Sequence, residues 1–86
     1  MRTKTTSPQS LGHILRSARK RKGLTQKAVG TSVGIDQATL STIERGESNL
    51  RIDTLFRLLA ALEMDMIIRP RDTSYRQEEE EEGDNW

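Results

Sequence analysis

Residues 24–46 read LTQKAVGTSVGIDQATLSTIERG, and this stretch decides the fold of the chain. Thr25 is placed to cap a helix that starts at Gln26, because its hydroxyl can accept a hydrogen bond from an unpaired amide of the first turn. Asp36 is placed to cap a second helix in the same way. Gly34 lies between the two helices, where a residue free to adopt positive φ permits a sharp turn. The stretch therefore predicts two short helices joined by a tight turn.

Apolar residues lie where such a helix pair must be buried. Leu24 and Val29 have the spacing of a hydrophobic staple across the first cap, and Ile35 and Leu40 have it across the second. The residues predicted to point inward are Val29, Val33, Ile35, Leu40 and Ile43. The residues left on the outer faces are Gln26, Lys27, Gln37, Ala38, Ser41 and Thr42. This division is typical of a helix-turn-helix unit.

The stretch resembles the Xre-type helix-turn-helix family of phage repressors and antitoxins. The resemblance rests on Thr-Gln, a small residue, Val-Gly-Ile, Gln, an apolar residue, Ser, Ile-Glu and Gly, in that order and without a gap. It implies an all-α fold, a lambda-repressor-like helix-turn-helix bundle of four to five helices. Gly30 stands where the family usually has alanine, at the point where the two helices are expected to pass closest.

The composition indicates one small domain without a catalytic or metal centre. The chain has 86 residues, no cysteine and a single histidine, His13, which has no partner for catalysis or for metal binding. It also lacks a Gly-rich phosphate loop, so we expect neither an enzyme nor a cofactor. No apolar run approaches the roughly 20 residues of a membrane span, and residues 1–7 do not resemble a secretory signal. A cytoplasmic protein is expected.

The charges are divided between a basic body and an acidic end. Residues 1–76 carry all 14 Lys and Arg and seven of the 13 acidic residues, which leaves a charge of +7. Residues 77–86 carry the other six acidic residues and no base. A basic body favours a polyanionic partner. We expect a flexible N-terminus at 1–6, a DNA-binding and dimerisation domain at 7–71, and a disordered acidic tail at 72–86 that ends in Trp86.

A first helix is predicted to run from Ser7 and Pro8 to Gly23. Serine followed by proline is a strong helix start, because the hydroxyl caps the helix and the imino acid fits its first position. The apolar residues that recur at helical spacing are Leu11, Ile14, Leu15 and Ala18. Basic residues lie mostly on other faces, so this helix supplies both core and positive charge.

The region after Gly46 predicts a last helix and a strand. Residues 51–64 have an apolar stripe wider than a small core needs: Leu55, Leu58, Leu59 and Leu62 suit the core, and Ile52 and Phe56 suit a dimer interface. Residues 64–70 have β character, and a lone strand at the end of a helical domain is best paired with its copy across a two-fold axis. The predicted interface comprises Ile52, Phe56, Met64, Met66, Ile67 and Ile68. The alternatives are plain core for the stripe and an extended segment packed on its own domain for residues 64–70.

The resemblance also implies which residues would contact DNA. The helix at about 36–45 would enter the major groove and contact bases through Gln37, Ala38, Ser41 and Thr42. The residues expected at the phosphate backbone are Gln26, Lys27, Arg16, Arg19 and Lys20. Two positions leave alternatives open. Asp36 either only caps the helix or also contacts a cytosine, and Arg19 matches a family pair with Glu44 that joins the first helix to the end of the third.

The architecture as a whole is similar to that of the HipB antitoxins. In those proteins a helix-turn-helix domain dimerises through a β-lid, represses its own operon and binds a HipA-like serine/threonine kinase toxin. The resemblance implies a homodimeric, autoregulating repressor of a palindromic operator in double-stranded DNA, with a HipA-like kinase as partner. Trp86 would dock on that kinase.

Two other functions remain open. One is a phage-type or other Xre-family repressor without a kinase partner. The other is an inhibitory interaction module whose acidic tail mimics nucleic acid, with the helical body as scaffold. The second predicts unchanged activity when Gln37 and Ser41 are replaced by alanine, and loss of activity when residues 77–86 are removed. A sequence-specific DNA-binding protein predicts the reverse: operator binding is lost when Gln37 and Ser41 are replaced and is retained when residues 77–86 are removed.

Overall fold

Four helices make up the regular structure of the computed structural model, which describes residues 4–47 and 49–71. They are α1 (Pro8–Arg21), α2 (Gln26–Val33), α3 (Gln37–Glu44) and α4 (Ile52–Ala61). The prediction of an all-α bundle is confirmed. The acidic tail and Trp86 lie outside the described residues, as do residues 1–3 of the N-terminus.

The predicted caps are present at the start of α1, α2 and α3. Ser7 forms a capping box with Ser10, and Pro8 opens α1. The Thr25 hydroxyl accepts a hydrogen bond from the Ala28 amide at 3.0 Å, at the start of α2. Asp36 Oδ1 accepts one from the Thr39 amide at 2.8 Å. Local side-chain chemistry therefore sets where each of these helices begins.

The turn between α2 and α3 is built on two glycines. Gly34 ends α2 with φ of 85°, a left-handed conformation that a side chain would strain. The carbonyl oxygen of Gly30 accepts hydrogen bonds from the Gly34 and Ile35 amides, at 2.8 and 2.9 Å. A Cβ at Gly30 would lie 2.6 Å from the Ile35 carbonyl oxygen. The close approach expected at this position is therefore present, and the backbone is tighter here than alanine would allow.

The core lies between the four helices and is wholly apolar apart from one ion pair and Thr54. Leu15 of α1, Leu40 of α3 and Leu58 of α4 are fully buried at its centre. The buried apolar residues are Leu15, Ala18, Val29, Val33, Leu40, Ile43, Leu55, Leu58, Leu59 and Leu62. Every residue predicted to point inward from the helix-turn-helix is among them except Ile35, which is partly buried against the same cluster. This core fixes α3 against α1 and α2.

The chain after α4 differs from the prediction. The last helix ends at Ala61 rather than at residue 64, and Glu63 follows it with φ of 57°. Residues 64–71 form neither helix nor strand, so the β-strand predicted there is absent from the described part of a single chain. The physical reason is that a strand needs a neighbouring strand for its backbone hydrogen bonds, and the described residues contain none. Pairing across a dimer stays a prediction.

Candidate nucleic-acid interface

One face of α3 carries the four residues predicted to contact bases. Gln37 and Ala38 are exposed, and Ser41 and Thr42 are half-buried one turn further along the helix. The Thr42 hydroxyl donates to the Ala38 carbonyl oxygen at 2.8 Å, so its methyl group is what remains for a contact outside the helix. The structure therefore places amide, methyl and hydroxyl groups side by side on one surface.

Gln37 is linked to the core of the domain through Gln26. Gln37 Nε2 donates to Gln26 Oε1 over a long 3.4 Å, and Gln26 Nε2 donates to Glu44 Oε1 at 3.0 Å. This arrangement leaves the Gln37 carbonyl oxygen and one of its N–H groups without a partner among the described residues. Those two groups are what a bidentate contact to adenine N6 and N7 requires.

Glu44 and Arg19 form a buried ion pair between α3 and α1. Arg19 Nε and Nη2 donate to the two carboxylate oxygens of Glu44, at 2.7 and 3.0 Å, and Nη1 donates to the Leu24 carbonyl oxygen at 2.8 Å. The two residues are only 7% and 6% exposed. Because the guanidinium points inward with all three nitrogens bonded, the structure does not support Arg19 as a phosphate contact. It favours the alternative role of joining α1 to α3.

The ion pair stays charged at neutral pH. Burial alone would raise the pKa of Glu44, but hydrogen bonds from Arg19 and Gln26 outweigh it and hold that pKa below its ordinary value. The hydrogen bond to Glu44 in turn raises the pKa of Arg19. The ionised Glu44 therefore accepts hydrogen bonds from both the protonated Arg19 and the neutral Gln26.

The other predicted phosphate contacts lie around α3. Gln26 and Lys27 are the first two residues of α2, where unpaired backbone amides and the helix dipole favour an anion. Arg16 and Lys20 are exposed and four residues apart, so they share one face of α1. Arg16 also lies close enough to Glu44 to lower its pKa. Arg16 is therefore near Glu44 at the end of α3.

The sequence prediction missed Arg45 at the C-terminal end of α3. Its Nη1 donates to Ser41 Oγ at 2.6 Å, and its Nε donates to Glu47 Oε1 at 3.0 Å. A basic residue four positions after Ser41 and eight after Gln37 shares their face of the helix. That spacing was the signal available in the sequence.

Large apolar side chains are exposed at the positions predicted for a dimer interface. On α4, Ile52 is 65% and Phe56 is 53% exposed. Beyond α4, Met66, Ile67 and Ile68 are exposed as well, whereas Met64 is partly buried against its own core. Residues 64–68 flank a groove whose other walls include Ile14 of α1 and Leu55 and Leu59 of α4. The structure thus exposes large apolar side chains both on α4 and after it, and the groove has no lining residue from α3.

Two classes of site are absent from the described part of the chain. Residues 4–47 and 49–71 contain no cluster of His, Asp or Glu side chains able to hold a metal ion. No helix in the same residues combines the length and the hydrophobicity that a membrane span requires.

Comparisons with known proteins agree with this arrangement. A family model described as helix-turn-helix matches residues 15–67. Antitoxin HipB of Escherichia coli strain K12 is 34% identical over 65 residues, which are 76% of this chain and 74% of that protein. An HTH-type transcriptional regulator of Haemophilus influenzae is 36% identical over 54 residues, 63% of this chain and 55% of that protein.

Solved structures give the same picture. A HipB variant in complex with an O2 20-mer superposes with a TM-score of 0.75 at 30% identity, over 84% of this chain and 100% of that one. The restriction-modification controller protein C.AhdI from Aeromonas hydrophila has a TM-score of 0.63 at 30% identity, over 66% of this chain and 83% of that one. Since the family model spans more than half of the chain and a HipB antitoxin is matched over three quarters of it, the chain belongs to the Xre-type helix-turn-helix family and is HipB-like.

Proposed function

We propose that the chain is a sequence-specific transcriptional repressor and the antitoxin component of a HipA/HipB-type toxin–antitoxin system, binding an inverted-repeat operator as a dimer. The observation that carries the proposal is the outer face of α3, where Gln37 is exposed and oriented through Gln26 by the buried Glu44. Residues of two helices, α2 and α3, thus orient one exposed amide group through a chain of hydrogen bonds. Support of an exposed polar side chain by its neighbours favours base recognition.

Binding to the phosphate backbone would come from residues on both sides of that face. Lys27 at the start of α2 and Arg16 and Lys20 on α1 are exposed cations, and no ion pair to a described residue engages them. Such contacts position the helix on the duplex without reading its sequence. Gln26 would add its backbone amide at the N-terminus of α2.

We propose a dimer because one domain alone has few contacts with DNA bases. A single helix offers few base contacts and modest specificity, and two copies related by a two-fold axis double them. The exposed Ile52 and Phe56, together with the apolar residues 66–68, supply a surface that association would bury. Pairing of residues 64–70 with the same segment of a second copy would satisfy their backbone groups. An inverted repeat in the operator follows from this symmetry.

A HipA-like serine/threonine kinase is the proposed protein partner. The support is the likeness to HipB: one chain of a HipA-HipB-O2-O3 complex superposes on this chain with a TM-score of 0.74 at 31% identity. Trp86 would contact that kinase; it lies outside the described residues. A pull-down with the product of the neighbouring gene tests the pairing. Capture that disappears in the Trp86→Ala variant supports it, and failure to capture favours an Xre-family repressor without a kinase partner.

Selection from a randomised duplex library tests the proposed DNA binding. We expect the full chain to select an inverted repeat, and Gln37→Ala and Ser41→Ala to lose that selectivity while circular dichroism shows unchanged helicity. Ser32→Ala is the matched control, because Ser32 is an exposed hydroxyl on α2 bonded only to the Val29 carbonyl oxygen. If both α3 variants select the same site as the unmodified chain, the proposal is wrong. In that case, loss of activity on deleting residues 77–86 would favour the inhibitory module.

A further inference from the structure

Arg45 extends the row of side chains that begins with the exposed Gln37 and continues with the half-buried Ser41. The three residues follow one another at intervals of four, so they share one face of α3. Arg45 is the C-cap of that helix, and its side chain is 55% exposed. An exposed cation therefore lies in line with two residues that are proposed to contact bases.

Two hydrogen bonds fix the direction of the Arg45 guanidinium. Nη1 donates to Ser41 Oγ at 2.6 Å, and Nε donates to Glu47 Oε1 at 3.0 Å. Because Ser41 lies one turn nearer the start of α3, the first bond draws the guanidinium back along the helix, toward Gln37. A guanidinium has about five N–H groups, and those on Nη2 and the second one on Nη1 have no partner among the described residues.

The hydrogen bond from Arg45 also leaves Ser41 as a donor to other groups. Its Oγ accepts a hydrogen bond from Arg45, so its own hydroxyl proton is directed to another acceptor. Arg45 and Ser41 together thus present hydrogen-bond donors to whatever lies against this part of α3. In the major groove, guanine is the base whose edge shows two acceptors, O6 and N7, whereas adenine pairs its one acceptor with an amino donor.

We infer that Arg45, held by Ser41, is a further specificity-determining residue that reads one guanine in each half-site. The inference rests on the proposed function, since it requires α3 to lie in the major groove. Guanine is favoured over phosphate because the guanidinium is drawn to Ser41, beside the base-contacting row. Glu47 also neutralises part of the Arg45 charge, which weakens a purely electrostatic attraction to phosphate while leaving donors for a base edge.

Binding-site selection with three variants of the full chain tests the inference. Arg45→Lys keeps the charge but loses the planar fork, and Arg45→Gln removes the charge. Arg57→Lys is the matched control, because Arg57 is an exposed arginine on α4, outside the surfaces assigned to DNA and to the dimer. Circular dichroism checks that each variant is folded.

The expected result is the loss of one base preference. The unmodified chain and Arg57→Lys should select a G·C pair in each half-site, and Arg45→Lys should lose about tenfold of that preference. The adenine preference assigned to Gln37 should be unchanged. Replacing the selected guanine by 7-deazaguanine should weaken binding of the unmodified chain and leave Arg45→Gln unaffected.

Other results overturn the inference. If Arg45→Lys selects the same site as the unmodified chain, and Arg45→Gln binds all sequences more weakly with a shallower salt dependence, Arg45 is a phosphate contact. Unchanged selection and affinity in both variants would show that Arg45 has no contact with DNA. If the unmodified chain selects no site at all, the proposed function itself fails, which is a different result from the loss of a single preference.

Discussion

Replacing Glu44 by alanine should remove a large part of the stability of the domain. The substitution deletes both hydrogen bonds from Arg19 to the carboxylate, at 2.7 and 3.0 Å, and leaves a 7% exposed guanidinium with only the Leu24 carbonyl oxygen as partner. Each charge-assisted bond contributes about 1.5–3 kcal/mol. Breaking a buried ion pair by removing one member costs about 3–5 kcal/mol. A small domain has about 5–15 kcal/mol of stability in total, so the expected loss is a large share of it.

A double substitution separates the unpaired charge from the loss of packing. Arg19→Met with Glu44→Leu removes both charges and keeps the volume apolar, so it should lie within about 1–2 kcal/mol of the unmodified chain. The residual cost comes from the Leu24 carbonyl oxygen, which loses its bond from Arg19. The free energy of unfolding is measured by urea titration with circular dichroism at one fixed protein concentration, because association links stability to concentration.

The refuting results are specific. A loss below about 1 kcal/mol for Glu44→Ala would mean that the ion pair is hydrated in solution and does not join α1 to α3. A double variant no more stable than Glu44→Ala would mean that shape rather than unpaired charge accounts for the loss. We also expect the double variant to bind operator DNA more weakly although folded, because Gln26 no longer has the acceptor that positions it beside Gln37.

Three further predictions concern pH, salt and association. The pKa of Glu44 is lowered in the folded state, so its contribution to stability is fully present above the ordinary value of 4.5 and is lost as pH falls through the folded value. Acid titration of stability should show this loss below about pH 4.5, and the control variant Asp65→Asn, at an exposed position, should show the same loss. Operator affinity should fall steeply between low and moderate salt, and a flat dependence would contradict the phosphate contacts of Lys27, Arg16 and Lys20. Phe56→Lys should shift the chain to monomer in sedimentation equilibrium while Arg57→Ala does not, and an unchanged dimer would exclude the exposed face of α4 as interface.

Features set by neighbouring residues could be predicted from the sequence. Ser7, Thr25 and Asp36 each cap a helix by accepting a hydrogen bond from the backbone amide three residues later. All three hydrogen bonds are present as expected. The buried face of the helix-turn-helix follows from helical periodicity for the same reason. The contact of Arg19 with Glu44 spans 25 positions in the chain, and it was anticipated only as an alternative, through the family resemblance.

Features that depend on a second segment or a second copy could not be predicted. The pattern at residues 64–70 favours a strand, yet a single chain offers it no partner, so the described segment has no regular structure. The role proposed for Arg45 depends on a side-chain hydrogen bond to Ser41 that sequence spacing permits but does not require. The Gly30 backbone shows how close α2 lies to the turn, a distance set by packing rather than by local preference.

Coupling between Gln37 and a single adenine tests the central claim most directly. The affinities of the unmodified chain and of Gln37→Ala are measured for the selected operator and for the same duplex with 7-deazaadenine, which lacks the N7 acceptor, at each adenine in turn. We predict that the replacement at one adenine in each half-site lowers the affinity of the unmodified chain by about tenfold and leaves the affinity of Gln37→Ala unchanged. Equal losses for both proteins at every adenine would contradict recognition of bases by this face of α3.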